Sequence, residues 1–576
     1  MPVRLPASLA AVPALLLCTL PVAAAAQSID YGNVTDSDET SQSGDAGSGG
    51  EGSWHSHGGR GGSGKIVDVT PYIEARQIVT AELTPGNDVL TYSVLAAGVD
   101  AEVVGKRNAA SVSLRYERRF GWSDSAEDGD FISGLARGYA TVMPGLQIEA
   151  GGLATRTSID NSGASFIGGL RNDDTATQVY SVYAGPSVST HAGDVAVSAN
   201  YRFGYTKVET PDAIVTAADE PAVDIFEDST IHAADVHAGV QPYVVLPVGL
   251  GAGAGYVRED ISNLDQRVED FHARGDVTVP VSRTLALVGG LGYEDVEISS
   301  RDVLRDGDGN AIIGSDGRFV TDKSLPRYIA YDVSGLIWDA GVLWRPSPRT
   351  SLEAHVGRRY GATSVHGTFA YRPTPRSSVN IAVYDNVAGF GGRLTDALAD
   401  LPTEFTAVRN PLSGDISGCV DTLDSESVNC LPGVFGSLRS ATFRGRGVAA
   451  TYAVRFNRIS TGIGAGYDRR KFIAAPGTIL ASSNGVIDED YWIVAYLNGS
   501  IDERSGYSAN LYANWFESGS GSTGDLTAMG ASASYYRFLT RRLSASAAVG
   551  IDGANRREPL DDVWGASAQV GVRYSF

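Results

Sequence analysis

The sequence predicts an all-β chain: a single transmembrane antiparallel up-and-down β-barrel of about 22 strands, with short turns on one side of the membrane and long loops on the other. Three observations predict it. The last fourteen residues, 563–576 (VWGASAQVGVRYSF), alternate strictly between apolar and polar side chains. Segments with the same alternation recur from Val67 onward, separated by connections that are alternately short and long. No apolar run after the N-terminal leader approaches the ~18 residues of a membrane-spanning helix, so a chain that crosses the membrane must do so as a closed barrel.

In the terminal stretch Trp564, Ala566, Ala568, Val570, Val572, Tyr574 and Phe576 share one face, because strand side chains alternate. Aromatic residues at both ends and a final Phe resemble the closing strand and C-terminal assembly signal of bacterial outer-membrane barrels, with Tyr574 and Phe576 as that signal. Such a strand is expected to pair with residues 67–83. Arg573 then falls on the inward face near the periplasmic rim.

Residues 1–26 carry Arg4, an apolar run and Ala24-Ala25-Ala26 before Gln27, the pattern of a secretory signal peptide. Cys18 lies among leucines without the small residues that a lipoprotein signal requires. Residues 27–66 are acidic and then Gly/Ser/His-rich, which predicts a disordered periplasmic tail; His55 and His57 read as part of a solvated linker. From residue 67 to 576 no compositional break divides the chain, which favours one barrel over several soluble domains. A formal charge of −21 excludes a nucleic-acid partner, which would need a basic patch. Cys419 and Cys430, close in sequence in an exported chain, predict a disulfide closing a short loop.

Short connections are expected at 104–108, 143–146, 191–194, 246–249, 281–284, 345–350, 373–377, 456–459, 500–505 and 539–542. Several repeat one device, a turn residue, then Arg, then Ser or Thr, then a strand, as in PSPRTSLEA and NRISTGIGA, which suits tight hairpins at a membrane edge. Longer ones fall between them at 123–130, 158–174, 208–230, 260–266, 299–325, 388–437, 474–488, 518–524 and 553–562. Short periplasmic turns, long extracellular loops and an even strand number place both termini in the periplasm. Within 327–345 the alternation changes phase near Trp338, which points to a bulge or an extra hairpin there.

The polar faces line the lumen. They supply the pore-lining candidates Arg115, Glu117, Arg119, Arg202, Asp270, His272, Arg274, Asp276, Glu353, His355, Arg359, His366, Arg372 and Arg573. Both charge signs occur on neighbouring strands. They could screen solutes by charge, bind a hydrated saccharide, or form structural ladders of paired charges. The longest connection, 388–437, contains LTDALADL at helical spacing together with the cysteine pair. An ordered element that caps the mouth or folds inward, and a simple surface loop, both fit it.

DGDGN at 306–310 starts like a calcium loop, but Ala311 replaces the required Gly and Gly317 stands where the bidentate Glu belongs, so a small hairpin is expected instead. No metal site, cofactor or catalytic residue is predicted. There is no GxSxG, HExxH or P-loop, and the chain is not expected to be an enzyme.

Residues 343–387 resemble the repeat-like core of outer-membrane barrels associated with exosortase (PEP-CTERM) and exopolysaccharide systems, through Trp344, Pro346, Pro348, Arg349, Thr350, Gly357, Arg358, Arg359, Tyr360 and Gly361. The resemblance implies a plug-less barrel in the outer membrane of a Gram-negative cell, linked to surface-polymer export. The expected function is a porin-like passive channel or conduit. Its expected partners are outer-membrane lipid and lipopolysaccharide, the barrel-assembly machinery and a polysaccharide. Alternatives are a structural or adhesive envelope barrel that acts through its loops, and a secreted soluble multi-sheet protein.

Overall fold

A computed structural model describes residues 66–122, 128–159, 165–166, 176–209, 228–314, 318–421, 430–519, 525–557 and 561–576. The signal and tail expected at 1–66 lie almost wholly outside them. Twenty-two antiparallel strands, from Ile66–Thr84 to Val563–Ser575, form one wall in which each pairs with its neighbour in sequence. The first and last strands pair from Tyr72↔Ser575 to Thr84↔Trp564, and the Phe576 N–H donates to the Pro71 carbonyl at 3.0 Å. That seam leaves the sheet without an edge, the condition for placing strands in hydrocarbon.

Each strand shows why it adopts this form. On Asn108–Gly121 the odd residues Ser111, Ser113, Arg115, Glu117 and Arg119 are buried inward, while Leu114, Tyr116 and Phe120 are exposed on the outside. On Ser505–Glu517, Leu511 and Trp515 face out and Asn514 faces in. Outside residues such as Leu336, Val549 and Val570 (61% exposed) meet no protein because lipid is their solvent. Arg118 breaks the outer apolar face at its extracellular end, where it pairs with Asp128 and Asp130. The chain is an integral outer-membrane barrel.

The ten short connections all fall on the periplasmic side. On the extracellular side two tight hairpins fall where no connection was expected: residues 85–88, and Tyr360-Gly361 between Thr350–Arg359 and Ala362–Thr374, where Tyr360 (φ 55°) and Gly361 (φ 65°) both take the left-handed conformation. Residues 327–345 hold no extra hairpin. Tyr328–Ser347 is one strand of 20 residues, and its register shifts lie near Ala330 and between Trp344 and Ser347, away from Trp338. Leu336 and Trp338 both point out and Ile337, 6% exposed, points in, so no phase change occurs at Trp338.

The barrel is filled from within. Between Ser377–Ala388 and Phe443–Phe456 the chain forms an insert, described at residues 389–421 and 430–442. It comprises the helix Phe390–Asp400, a two-stranded pair Thr406–Arg409 and Ile416–Asp421, and a short turn of helix Pro432–Val434. Its Phe390, Leu394, Leu398, Ile416, Phe435 and Leu438 pack with the inward wall residues Leu135, Leu153, Val179, Tyr183 and Val208. Each fully buried Leu or Phe stabilises this packing by about 1.5–3 kcal/mol. The plug-less barrel that the resemblance implied is therefore corrected: the lumen carries a plug taken from an extracellular connection.

An outer-face charge offers a check on the wall. Val570→Lys places an ammonium in the lipid belt of the closing strand and is expected to cost about 2–4 kcal/mol, read as a lower urea midpoint for unfolding from lipid vesicles.

Candidate functional site: the lumen and its insert

The insert is held at its start by a carboxylate. Glu259, 1% exposed on Gly249–Ile261, accepts the backbone N–H groups of Gly389 at 2.7 Å and Gly392 at 2.9 Å, which satisfies donors that every helix leaves free at its N-terminus. Glycine is needed there: a Cβ at Gly392 would lie 2.6 Å from the Glu259 carboxylate, and one at Gly391 only 1.9 Å from Ser229 Oγ. Further along the helix, Arg202 pairs with Asp396. Arg393 reaches Asp468 at 3.3 Å and lies over the Tyr384 ring.

The tip of the insert, residues 410–415, is a turn in which Asn410 Oδ1 accepts the N–H groups of Leu412 and Ser413, and Gly414 has φ 78°. Arginines of the wall hold it. Arg76 donates to the carbonyls of Pro411 and Leu412, and Arg156 donates to the Ser413 carbonyl and the Asp415 carboxylate at about 3.0 Å. Glu117 ties these cations together, with Arg76 at 2.9 Å and Arg156 at 3.2 Å. On the far side Arg470 donates to the carbonyls of Gly433, Val434 and Ser437, and Asn510 to that of Arg409. The insert thus bridges opposite walls. The disulfide Cys419–Cys430 clasps its far arm.

The residues singled out from the sequence divide into two groups. Arg115, Glu117 and Arg119 face inward but lie beneath the insert, none more than 4% exposed, and Arg115 binds Glu74 at 2.7 Å. They anchor rather than line an opening. Most of the others lie on the wall from Asp228–Val240 to Ala362–Thr374, while Arg202 is on Val195–Glu209 and Arg573 on Val563–Ser575. Arg359 binds Asp270 at 2.9 Å and donates to His272 Nδ1 at 2.9 Å, while Arg274 binds Asp339 at 2.7 Å. Asp276 meets His237 Nε2 at 3.1 Å. His355 sits between Asp339 at 3.0 Å and Glu353 at 3.2 Å, and its ring stacks on that of His366, centroids 5.0 Å apart. Arg372 is at the periplasmic end of Ala362–Thr374, its N–H on the Arg349 carbonyl. Arg573 binds Asp100 at 2.8 Å and covers the Tyr72 ring at 3.5 Å. Tyr574 and Phe576 meet edge to face at the seam, centroids 5.1 Å apart.

Strand Gly249–Ile261 presents glycine at 249, 251, 253 and 255 on its inward face, and the polar side chains of its neighbours lie across it. A Cβ at Gly251 would fall 2.6 Å from His237 Nε2 and 2.8 Å from Asp276, and one at Gly255 would fall 2.4 Å from His272. Gly290 is floored in the same way, its would-be Cβ 2.2 Å from Arg274 Nε. The ladder of His, Asp and Arg is thus built into the wall. Between the insert tip and strands Ile487–Asp502, Ser505–Glu517, Leu526–Phe538 and Leu543–Arg556 remains a small pocket, with Asn410, Asp415, Tyr496, Asn510 and Asp552 on its lining.

Sequence reading missed Arg76, Arg156, Glu259, Asp339 and Arg470. The one readable signal was the alternation GLGAGAG at 249–255, which leaves an inward face without side chains. At 306–310 the carboxylate of Asp306 is consumed within a turn: it accepts the backbone N–H of Asn310 at 2.8 Å and of Asp308 at 3.0 Å, and these donors hold it below the usual carboxylate range. Bridges Arg305↔Ala311 and Ile313↔Phe319 complete a small hairpin meander there.

The sequence matches no protein-family model and no curated protein. Among solved structures the chain is similar to the FrpB iron transporter from Neisseria meningitidis in its apoprotein form, with 11% identity over 88% of this chain and 81% of that chain and a TM-score of 0.43. It is similar also to the ferric-catecholate import receptor Fiu from E. coli K12 in its open form, with 10% identity over 88% and 81% and a TM-score of 0.40. A third is the siderophore receptor PirA from Acinetobacter baumannii, with 9% identity over 88% and 80% and a TM-score of 0.38. At these values the likeness is one of gross barrel fold.

The latch at the tip can be tested apart from function. Arg156→Met leaves Asp415 without its cation, and breaking a buried pair in this way costs about 3–5 kcal/mol. Amide exchange at 410–416 is expected to accelerate while exchange along the seam strands stays slow; equal rates in both regions would show that Arg156 does not hold the tip.

Proposed function

We propose that the protein is a porin-like outer-membrane channel for small hydrophilic solutes, constricted by its own insert. The observation that carries this reading is the insert's span across the lumen, from Arg76 and Arg156 on one wall to Arg470 on another. A wide barrel cannot fill itself with side chains, and here a folded loop narrows it. On the wall from Asp228–Val240 to Ala362–Thr374 the inward ladder keeps some members partly exposed, Arg359 by 30% and His272 by 24% of its side chain, while Asp276 and His355 are buried. Groups of this kind replace the hydration shell of a passing solute.

A surface polysaccharide as cargo is supported only by the resemblance of residues 343–387, and an extended polymer would need the insert displaced. The apolar belt and the terminal Phe576 suit insertion by the barrel-assembly machinery into a membrane whose outer leaflet is lipopolysaccharide. The envelope-anchor reading differs in one respect: it needs no passage.

Planar-bilayer conductance separates the two. The intact protein is expected to give small, steady currents. A variant in which a short Gly/Ser linker replaces residues 390–441 joins Ala388 to Phe443, which are already paired, and is expected to conduct several-fold more. Its folding is checked by the heat-dependent gel shift of intact barrels. Silence from both proteins would refute the channel, and equal currents would refute the insert as its constriction.

A further inference from the structure

Four of the chain's eight histidines, His237, His272, His355 and His366, lie along one stretch of lumen wall. Their surroundings are strongly acidic. On the same strands Asp235, Asp270, Asp276, Glu294, Asp339 and Glu353 also face inward, with Arg274 and Arg359 as the guanidiniums among them. With Glu259 of Gly249–Ile261 also inward, carboxylates outnumber guanidiniums along this stretch. The imidazoles can offset part of that excess. The nearest pair from elsewhere, Arg202 and the insert's Asp396, is internally balanced, and Arg372 lies lower, toward the periplasm.

The glycine floor shows that this arrangement is specified by the fold. Across Gly255, His272 faces Asp235; across Gly251, His237 faces Asp276. Asp276 also has Arg274 at 3.7 Å, and Arg274 leads through Asp339 to His355. His272 has Asp270 at 3.8 Å and Arg359 at 2.9 Å. His355 has Asp339 and Glu353 in its plane and His366 on its face. Every imidazole of the set is therefore within reach of a carboxylate or of another imidazole. His366 is the most exposed of them.

We infer that this ladder is the selectivity filter of the passage: it prefers cationic solutes, and the preference weakens as its histidines gain protons. The inference rests on the channel reading and names the solute class that the reading leaves open. A narrow, water-poor lumen focuses the field of fixed charges, so their sign decides which ion concentrates there. Histidine is the side chain whose charge changes between about pH 5 and 8, and each proton that the set gains offsets part of the acidic excess.

The test is the reversal potential of the intact protein in a planar bilayer under a potassium chloride gradient, at about pH 8 and about pH 5.5, either side of the ordinary histidine range. A several-fold preference for potassium over chloride is expected at the higher pH, and a clearly smaller one at the lower. In a variant carrying His237→Gln, His272→Gln and His366→Gln together, most of the change between the two pH values is expected to vanish. Diethyl pyrocarbonate labelling of the intact protein, read by mass spectrometry, adds a measurement independent of current: His366 should react, with His191 in its exposed periplasmic turn as the reference. A current whose selectivity is the same at both pH values, or whose pH dependence survives the triple substitution, overturns the filter alone. His366 protected while His191 reacts also overturns it. A barrel that passes no current overturns the channel reading, and the filter falls with it.

Discussion

The constraint on which everything else depends is the pairing of the first strand with the last. In hydrocarbon no water is present to satisfy an unpaired N–H or C=O, so an open sheet edge would cost several kcal/mol for each group left bare. The bonds from Tyr72↔Ser575 upward remove that edge. Once the wall is closed, outward side chains need only be apolar, and the lumen becomes the one place where the chain can hold charge. The strand faces follow from this single fact.

A closed wall of this width creates a second problem, its interior. The insert solves it partly with apolar packing against Leu135, Leu153, Val179 and Tyr183, and partly with arginine. Irregular chain inside a barrel exposes carbonyls that no strand partner can reach, and each must find a donor. Guanidinium groups carry several donors in a fixed fork, so Arg76, Arg156 and Arg470 can each satisfy carbonyls and a carboxylate together. Arginine is here the adaptor between regular wall and irregular filling.

Much of the wall was legible in the sequence, because alternation with period two has few other causes. The closing strand, the ten periplasmic turns and the faces of Asn108–Gly121 and Ser505–Glu517 were readable from it. The hairpins at 85–88 and at Tyr360-Gly361 were not, since an extracellular turn of that length carries no mark to tell it from a strand interior. Near Trp338 the reading failed because Ile337 is an apolar residue on the inward face, and alternation cannot distinguish an inward apolar residue from a shifted register. The insert's course was illegible for the same reason. Its contacts are inward apolar residues on distant strands, which look like lapses in the pattern until the filling that covers them is seen. Glu259 and Arg470 could not be picked out because what they hold of the insert is backbone, which has no sequence signature.

The position of the insert bears on the order in which the molecule can be assembled. It leaves the wall at Ala388 and returns at Phe443, two residues that are direct neighbours across adjacent strands. No wall strand waits on it for a partner, and no hydrogen bond of the seam passes through it. Sheet growth can therefore run from one strand to the next while the insert is still outside, with its clasp between Cys419 and Cys430 formed locally. Filling of the lumen becomes a late event, whose timing is free of the slower business of closing the ring.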